Sequence, residues 1–415
     1  MKASARIFGL MKPSSLLKAK KGNRFFAYLP TNAAHAPLNV DEKYTAPYRS
    51  LEGTSIPKAA FYGLISNVDE NVGRLMAYLK MADLDKNTIL IFATDNGTAF
   101  GYNEAGNLGN NQGYSGTKAD MTEGGHRVPF YIKWPNSKLP IDKDIVVQSS
   151  HVDILPTLAS LCNFEIDKSL DLDGVDLSPY LFEETENSIE RTLYIHNRQD
   201  WRAPDAVKYS CLIRGKWRLI DGHKLYNIET DRSQKIDLAK KHPEVVKSLL
   251  KENEAFIAKA KMKKVYQEFP SEIIGSPKQE VTKLTIQNAI GDDKPIYAQY
   301  EVAEGFKNQN NRYAIEVEHK GKYKITCKRW PIEYDGKIRG LPYKGNYFPF
   351  DYQSISPEKV SISLFDEYHE KQIGDNDSEV SFEIDLEKGK TFMEASFIEG
   401  NSSYGVYYIY IEALT

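Results

Sequence analysis

The sequence predicts an α/β region followed by a small antiparallel sheet with one helix, and then an all-β region; three observations carry that expectation. Between residues 25 and 162, short apolar runs alternate with an amphipathic helical stretch. From 205 to 263, three short strand-like runs precede one amphipathic helix. Beyond 279, period-2 alternation dominates and no convincing helix is visible. A chain of 415 residues also exceeds the ~250–300 at which single cores stop growing, so several domains are expected.

In order along the chain, Phe25–Leu29 is a short apolar run ended by Pro30, consistent with a buried strand. From Phe61, apolar residues recur at Leu64, Ile65, Val68, Val72, Leu75, Met76 and Leu79, one wide face of a helix. Asp85–Asn87 breaks it. Thr88–Ala93 then reads as a fully buried strand, and the alternation of strand, helix and strand points to a largely parallel sheet. A Gly/Asn-rich loop runs from Gly97 to Gly116, Arg127–Trp134 is a further strand, and Ile154–Cys162 a further helix. Cys211–Arg214, Trp217–Ile220 and Leu225–Ile228 are short strands, with Asp221–Gly222 as a hairpin turn. Pro243 opens a helix whose inner face is Val246, Leu249, Leu250 and Phe256. Later, Tyr313/Ile315/Val317, Tyr323/Ile325/Cys327, Phe382/Ile384/Leu386 and Val406/Tyr408/Tyr410 alternate as strands of a sandwich, with Lys320–Gly321 as a hairpin. The expected organisation is a basic leader at 1–21, an α/β domain at 22–204, a subdomain at 205–263, a link at 264–278 and a β-sandwich-like domain at 279–415.

Composition narrows the function classes. The formal net charge of −3 gives no global field for nucleic acid or an anionic membrane, so an anionic substrate needs locally placed cations. No apolar run approaches the ~20 residues of a membrane helix. The stretch Ile7–Met11 is shorter than the ~7–15 residues of a signal-peptide core. Cys162, Cys211 and Cys327 lie far apart, without zinc spacing, and read as buried thiols.

Three features carry chemistry. Thr94-Asp95-Asn96-Gly97 directly follows the strand Thr88–Ala93, and ligands of open α/β sheets bind beyond such strand ends. Asp95 and Asn96 supply hard oxygen donors suited to Ca²⁺ or Mg²⁺; a turn is the competing reading. Gly116-Thr117-Lys118 is not in P-loop order, so Lys118 gains interest only if the chain folds it over the strand end bearing Asp95. His35 sits just past the run Phe25–Leu29 and offers a donor there.

The segments FFAYLPTNAAHAPL, TILIFATDNG, GTKADMTEGGHRVPFYIKWP, SSHVDILPTLASLC and LDGVDLSPYL resemble, in order and spacing, those of formylglycine-dependent arylsulfatases. WRLIDGHKLYNIETDRSQKIDLAKKHPEVV is similar to the subdomain that closes those enzymes, and the resemblance covers about residues 22–260. The β region resembles a C-terminal extension of some bacterial sulfatases. The resemblance implies an alkaline-phosphatase-like sheet with helices and hydrolysis of sulfate esters. The partner it implies is a sulfated carbohydrate or aryl sulfate ester, with no nucleic acid or membrane. It implies that Asp95 and Asn96 ligate Ca²⁺, that Lys118 grips a sulfate oxygen and stabilises the leaving group, and that His35 bonds the sulfate or ester oxygen. Preplaced cations and donors suit the charge developing there. Arg198, Asp200, Trp201 and Arg202 lie near where subdomain residues reach the substrate in that family, with a solvated charged loop as the competing reading, while His151, Asp153 and Asp173 read as structural. A periplasmic or secreted location is implied, although the chain shows no signal peptide.

The departures are as informative. The family's N-terminal Asp-Asp pair, its Cys/Ser-x-Pro-x-Arg motif, whose first residue becomes formylglycine, and its Lys-x-His segment have no counterpart at matching positions. Asp292-Asp293 and Lys240-Lys241-His242 fit two of the patterns by letter but fall far too late. The expectation is therefore a chain resembling the C-terminal two-thirds of a sulfatase, inactive because formylglycine is absent. Two alternatives stay open: a phosphodiesterase or phosphonate hydrolase of the same superfamily, and a non-catalytic protein that binds sulfated glycans.

Overall fold

The structure is a computed structural model that describes residues 24–36, 38–51, 56–99, 111–182, 189–197, 207–262, 270–290, 299–305, 307–308, 312–334, 336–341 and 353–414. Among these the chain divides into two compact units, one reaching Ala258 and one from Lys259 onward.

The first unit opens with helices α1 (Glu42–Arg49) and α2 (Ile56–Met81). The apolar spacing that predicts a helix over 61–79 is realised, with Ala59, Leu64 and Leu79 buried. The two helices cross closely at Gly63, where an added Cβ would come within 3.1 Å of the Tyr44 carbonyl carbon. Tyr44 Oη donates to Glu70 at 2.9 Å, and the Tyr48 and Ser66 hydroxyls pair at 2.6 Å. Strand β1 (Leu90–Ala93) follows, then the single-turn helix α3 (Glu123–His126) and strand β2 (Phe130–Lys133).

The sheet corrects the sequence reading. β1 and β2 pair antiparallel, with Phe92 opposite Tyr131, and form a two-stranded sheet. β1 is half-exposed rather than fully buried, and among the described residues no third strand joins its sheet. Phe25–Leu29 forms no strand, and Phe26 is 82% exposed. An apolar run marks a candidate strand, but a strand needs a ladder partner, and none of the described residues pairs with this run.

Helix α4 (Ile154–Cys162) lies where its apolar pattern puts it. Ser150 and Asp153 form a reciprocal cap ahead of it, and Asn163 closes it in the left-handed region at φ 51°. Cys162 is exposed, contrary to the buried reading, because it occupies the solvent-facing last position of that helix. Helix α5 (Ser178–Leu181) follows.

Strands β3 (Leu193–His196), β4 (Ser210–Arg214), β5 (Trp217–Ile220) and β6 (Lys224–Asn227) form an antiparallel sheet in that order. Three of them were legible; β3 was not. One face (Leu212, Leu219, Leu225) packs on Leu249 of α6 (Pro243–Lys261), and Phe256 stacks on Tyr194 at 4.0 Å. The opposite face (Leu193, Cys211, Ile213, Ile220) packs against Met121. Burial pushes the Cys211 thiol up to about 12.

The second unit contains β7 (Glu272–Ile274), β8 (Val281–Thr285), β9 (Ala289–Ile290), helix α7 (Gln299–Glu304), β10 (Arg312–Val317), β11 (Gly321–Lys328), β12 (Lys359–Leu364), β13 (Glu367–Gln372), β14 (Val380–Leu386), β15 (Gly389–Glu399), β16 (Ser402–Gly405) and β17 (Tyr408–Leu414). One sheet has the order β13-β12-β15-β10-β7, with β9 on β10 and β16 on β15; the other has the order β14-β11-β17-β8. A single apolar core draws on both, including Ile315, Val360 and Phe397 from the first and Ile325, Phe382 and Ile411 from the second. That is sandwich packing.

Four details depart from the sequence reading. β7 falls inside the stretch read as a link, because three strand residues are too few to show a period. Lys320–Gly321 carries the chain from one sheet to the other, so it is not a hairpin within one sheet. In β17 the core residues are Ile409 and Ile411, not Tyr408 and Tyr410: both faces are buried, which erases the alternation signal. Helix α7 is short and was invisible to a period test.

Candidate functional site

β1 ends at Ala93, and the backbone then runs through Thr94–Thr98 against two other segments. The His151 ring donates from Nε2 to the Thr94 carbonyl at 2.8 Å. Gly97 N donates to Gly125 O at 2.9 Å, and Lys118 N donates to Thr98 O at 2.8 Å. The approach at Gly97 is so close that a Cβ there would lie 1.8 Å from Gly124 O. The loop bearing Lys118 is thus joined through its backbone to the loop that leaves the strand end bearing Asp95 and Asn96. Asp95 is exposed, and its Oδ1 accepts from Asn96 N at 2.9 Å. The Lys118 side chain is also exposed.

The Lys118 loop is shaped from within and gripped from outside. Thr117 N donates to Asp120 Oδ2 at 2.7 Å, and Asn111 Nδ2 donates to Gly116 O at 3.1 Å. Gly116 adopts φ +88°, a conformation that favours glycine. From the four-stranded sheet and its turns, Ser115 Oγ donates to Ser233 O at 2.6 Å, and Asn197 Nδ2 donates to Ala119 O at 2.7 Å. Glu123 N donates to Gln234 Oε1 at 2.8 Å. Glu123 is buried and takes two arginines, Arg218 Nε on Oε1 at 2.5 Å and Arg127 Nη1 on Oε2 at 2.8 Å. Burial pushes the Glu123 carboxyl up, but Arg218 and the hydrogen bonds outweigh it and hold the group below its ordinary value. His126 is held below its ordinary value chiefly by burial, and its Nε2 has no hydrogen-bond partner among the described residues.

Sequence reasoning missed these anchors. A faint signal existed: strand alternation puts Arg218 on the same face of β5 as Ile220, the face that Met121 covers. Nothing local marks Glu123 as its partner, since 95 positions separate the two.

His35 is exposed; its Nδ1 donates to Ala36 O at 2.9 Å, and its backbone N to Asn32 O at 2.7 Å. Among the described residues no hydrogen bond joins it to the Asp95 loop. Arg198, Asp200, Trp201 and Arg202 lie outside the described residues. Asp153 is structural in its contacts: buried, it accepts both Arg191 guanidinium nitrogens, at 2.6 and 2.5 Å, and the Ser150 and Val175 amides. Thr45-Ala46-Pro47-Tyr48-Arg49 reproduces the x-Pro-x-Arg spacing with threonine in front, a match the sequence reading overlooked. The structure places it within α1, where Thr45 is buried and its Oγ1 donates to Glu42 O at 3.2 Å. That hydroxyl is a helix contact, not a presented nucleophile.

Asp95 and Asn96 match Ca²⁺ in donor type but not in number. The ion takes about six to eight oxygens, and no group of three or more acidic, His or Cys side chains converges among the described residues.

The comparisons with known proteins bear on this region. The sulfatase family model matches residues 10–164, a span that contains Asp95, Asn96, Lys118 and His35. Among curated relatives, arylsulfatase J of Mus musculus is 27% identical over 275 residues, covering 54% of this chain and 44% of the relative. N-acetylgalactosamine-6-O-sulfatase of Bacteroides thetaiotaomicron is 28% identical over 260 residues, covering 57% of this chain and 48% of the relative. The chain thus spans about half the length of the curated relatives it matches. Among solved structures, Ps i-CgsB in complex with k-i-k-neocarrahexaose shares the fold at a TM-score of 0.53 and 24% identity, over 61% of this chain and 54% of that one.

Proposed function

We propose, from the match of residues 10–164 to the sulfatase family model, that the Asp95–Lys118 region serves hydrolysis of sulfate esters on carbohydrates. The observation that carries the reading is the Lys118 N–Thr98 O hydrogen bond, which docks the lysine loop onto the strand end bearing Asp95 and Asn96. A cation at that place suits the oxygens of a sulfate ester, whose charge grows as the ester bond breaks. Sulfated sugar as the substrate class is supported by a relative that is an N-acetylgalactosamine-6-O-sulfatase.

The reading has a second part. Sulfate-ester cleavage of this kind needs a nucleophile, and no cysteine or serine in the sequence stands two places before a proline and four before an arginine. Lys118 stabilises charge but does not replace a covalent nucleophile. The 415-residue chain by itself is therefore expected to bind a sulfated sugar weakly and to release no sulfate.

Two measurements test this. Calorimetry with N-acetylgalactosamine 6-sulfate should give weak binding that Lys118→Ala lowers by about tenfold, the scale of one charge-assisted hydrogen bond. Binding unchanged by Lys118→Ala removes the site assignment. Ion chromatography should detect no sulfate release from the same sugar, with or without added Ca²⁺. Release that Lys118→Ala abolishes overturns the second part and demands another nucleophile.

A further inference from the structure

Four residues before Lys118, Tyr114 carries two guanidinium groups. Arg127 lies 4.9 Å and Arg232 5.6 Å from the centroid of its ring. Two like charges on one ring are an unfavourable arrangement unless something compensates them. Arg127 is half compensated by the buried Glu123, which takes its Nη1. Arg232 is exposed, and among the described residues its guanidinium has no ion pair and no hydrogen bond.

The two arginines come from distant parts of the chain, and the fold holds both in place. The Ser115–Ser233 and Glu123–Gln234 hydrogen bonds flank Tyr114 on one side and Arg232 on the other. The Arg218–Glu123 pair fixes the residue that orients Arg127. Guanidinium forks stacked on an aromatic face lose little freedom when they bind and match planar or tetrahedral oxyanions with two parallel N–H donors. From this geometry we infer that Tyr114, Arg127 and Arg232 form an oxyanion subsite that takes a second anionic group, a sulfate or a carboxylate, of a saccharide chain. The inference rests on the proposed function only for the saccharide that carries the anion. It implies a polyanionic chain as ligand, not a singly charged sugar.

The test uses the full chain and calorimetry at low ionic strength, with a sulfated dextran oligosaccharide, a polygalacturonate oligomer and unmodified dextran. Expected is binding to one or both anionic oligomers and none to unmodified dextran; which oligomer binds decides between sulfate and carboxylate. Arg232→Ala and Tyr114→Ala should each weaken binding by about tenfold. Arg232→Lys should recover only part of the loss, since it keeps the charge without the fork. Lys388→Ala, an exposed lysine in the other unit, should change nothing. Arg232 is exposed, so a thermal melt of Arg232→Ala should match the parent and exclude misfolding as the cause. The inference is overturned by a parent chain that binds neither oligomer, by an Arg232→Ala affinity within about twofold of the parent, or by an equal loss in Lys388→Ala. Binding of the singly sulfated sugar that ignores Lys118→Ala, together with oligomer binding that still needs Arg232, would remove the proposed function and leave the subsite standing.

Discussion

Glu123 shows how a single buried residue ties the loop that follows Lys118 to the four-stranded sheet. Its side chain is 2% exposed and Arg218's is 7%, so the carboxylate relies on Arg218 and Arg127 in place of water. Arg218→Met should leave that carboxylate with Arg127 alone and destabilise the first unit by about 1.5–3 kcal/mol, the scale of a lost charge-assisted hydrogen bond at a buried group. Urea unfolding measures the loss, and Glu123→Leu combined with Arg218→Met should lose much less than the sum of the two single changes. The pH dependence follows from the depressed carboxyl. A carboxyl that titrates lower in the folded chain stabilises it fully above its unfolded value. That stability drains as pH falls through the lower folded value, so unfolding at pH 7 and at pH 3 should differ less in the double variant. The metal question lies at the same scale. The Asp95 and Asn96 side chains offer three oxygens between them, short of the about six to eight that Ca²⁺ takes, so Ca²⁺ binding by this chain should be weaker than micromolar, and a tight isotherm lost in Asp95→Ala would sink the idea. The position of Asp95, Asn96 and Lys118 in loops beyond a strand end was legible, because such loops announce themselves through local composition. Glu123, Arg218 and Gln234 were not, because a pairing across a hundred residues leaves no local period.

At the level of elements, legibility followed amphipathicity. Helices α2, α4 and α6 each keep one apolar stripe, and each lies where the stripe predicts. Strand direction and pairing were misread, since Thr88–Ala93 says only that a strand exists, not which way its neighbour runs. β3 escaped because Leu-Tyr-Ile-His is too short to alternate visibly, yet it completes the sheet on which α6 packs. The weight of that packing is concentrated at Leu249, fully buried among Leu212, Leu219 and Leu225. Leu249→Ala should cost about 2–5 kcal/mol by lost transfer energy plus the cavity left behind. Hydrogen exchange should place the loosening in β4, β5 and β6 and leave the sandwich strands protected; protection lost equally in β10 and β11 would contradict this packing.

For the whole molecule, the sequence signalled a change from mixed to all-β character, but the first strand of the β region stayed hidden. Ile273 and Ile274 precede a glycine turn and look like part of a polar link. In the structure β7 runs parallel to β10, pairing Ile274 with Val317, and Ile274 lies fully buried in the core shared by both sheets. The sandwich draws that core from its own strands, so a fragment of residues 270–415 should fold alone, with a β-type circular dichroism spectrum and one cooperative melt. A fragment of residues 279–415 loses the Ile274 side chain and leaves the β10 edge carrying only the two-residue β9. Losing one buried isoleucine typically costs about 2–5 kcal/mol, and an unpaired strand edge invites association with other chains. The shorter fragment should therefore melt earlier and aggregate more readily than the longer one. Equal melting temperatures for the two would mean that β7 contributes nothing to the sandwich, and the all-β region would then begin at residue 279, where sequence alternation first shows it.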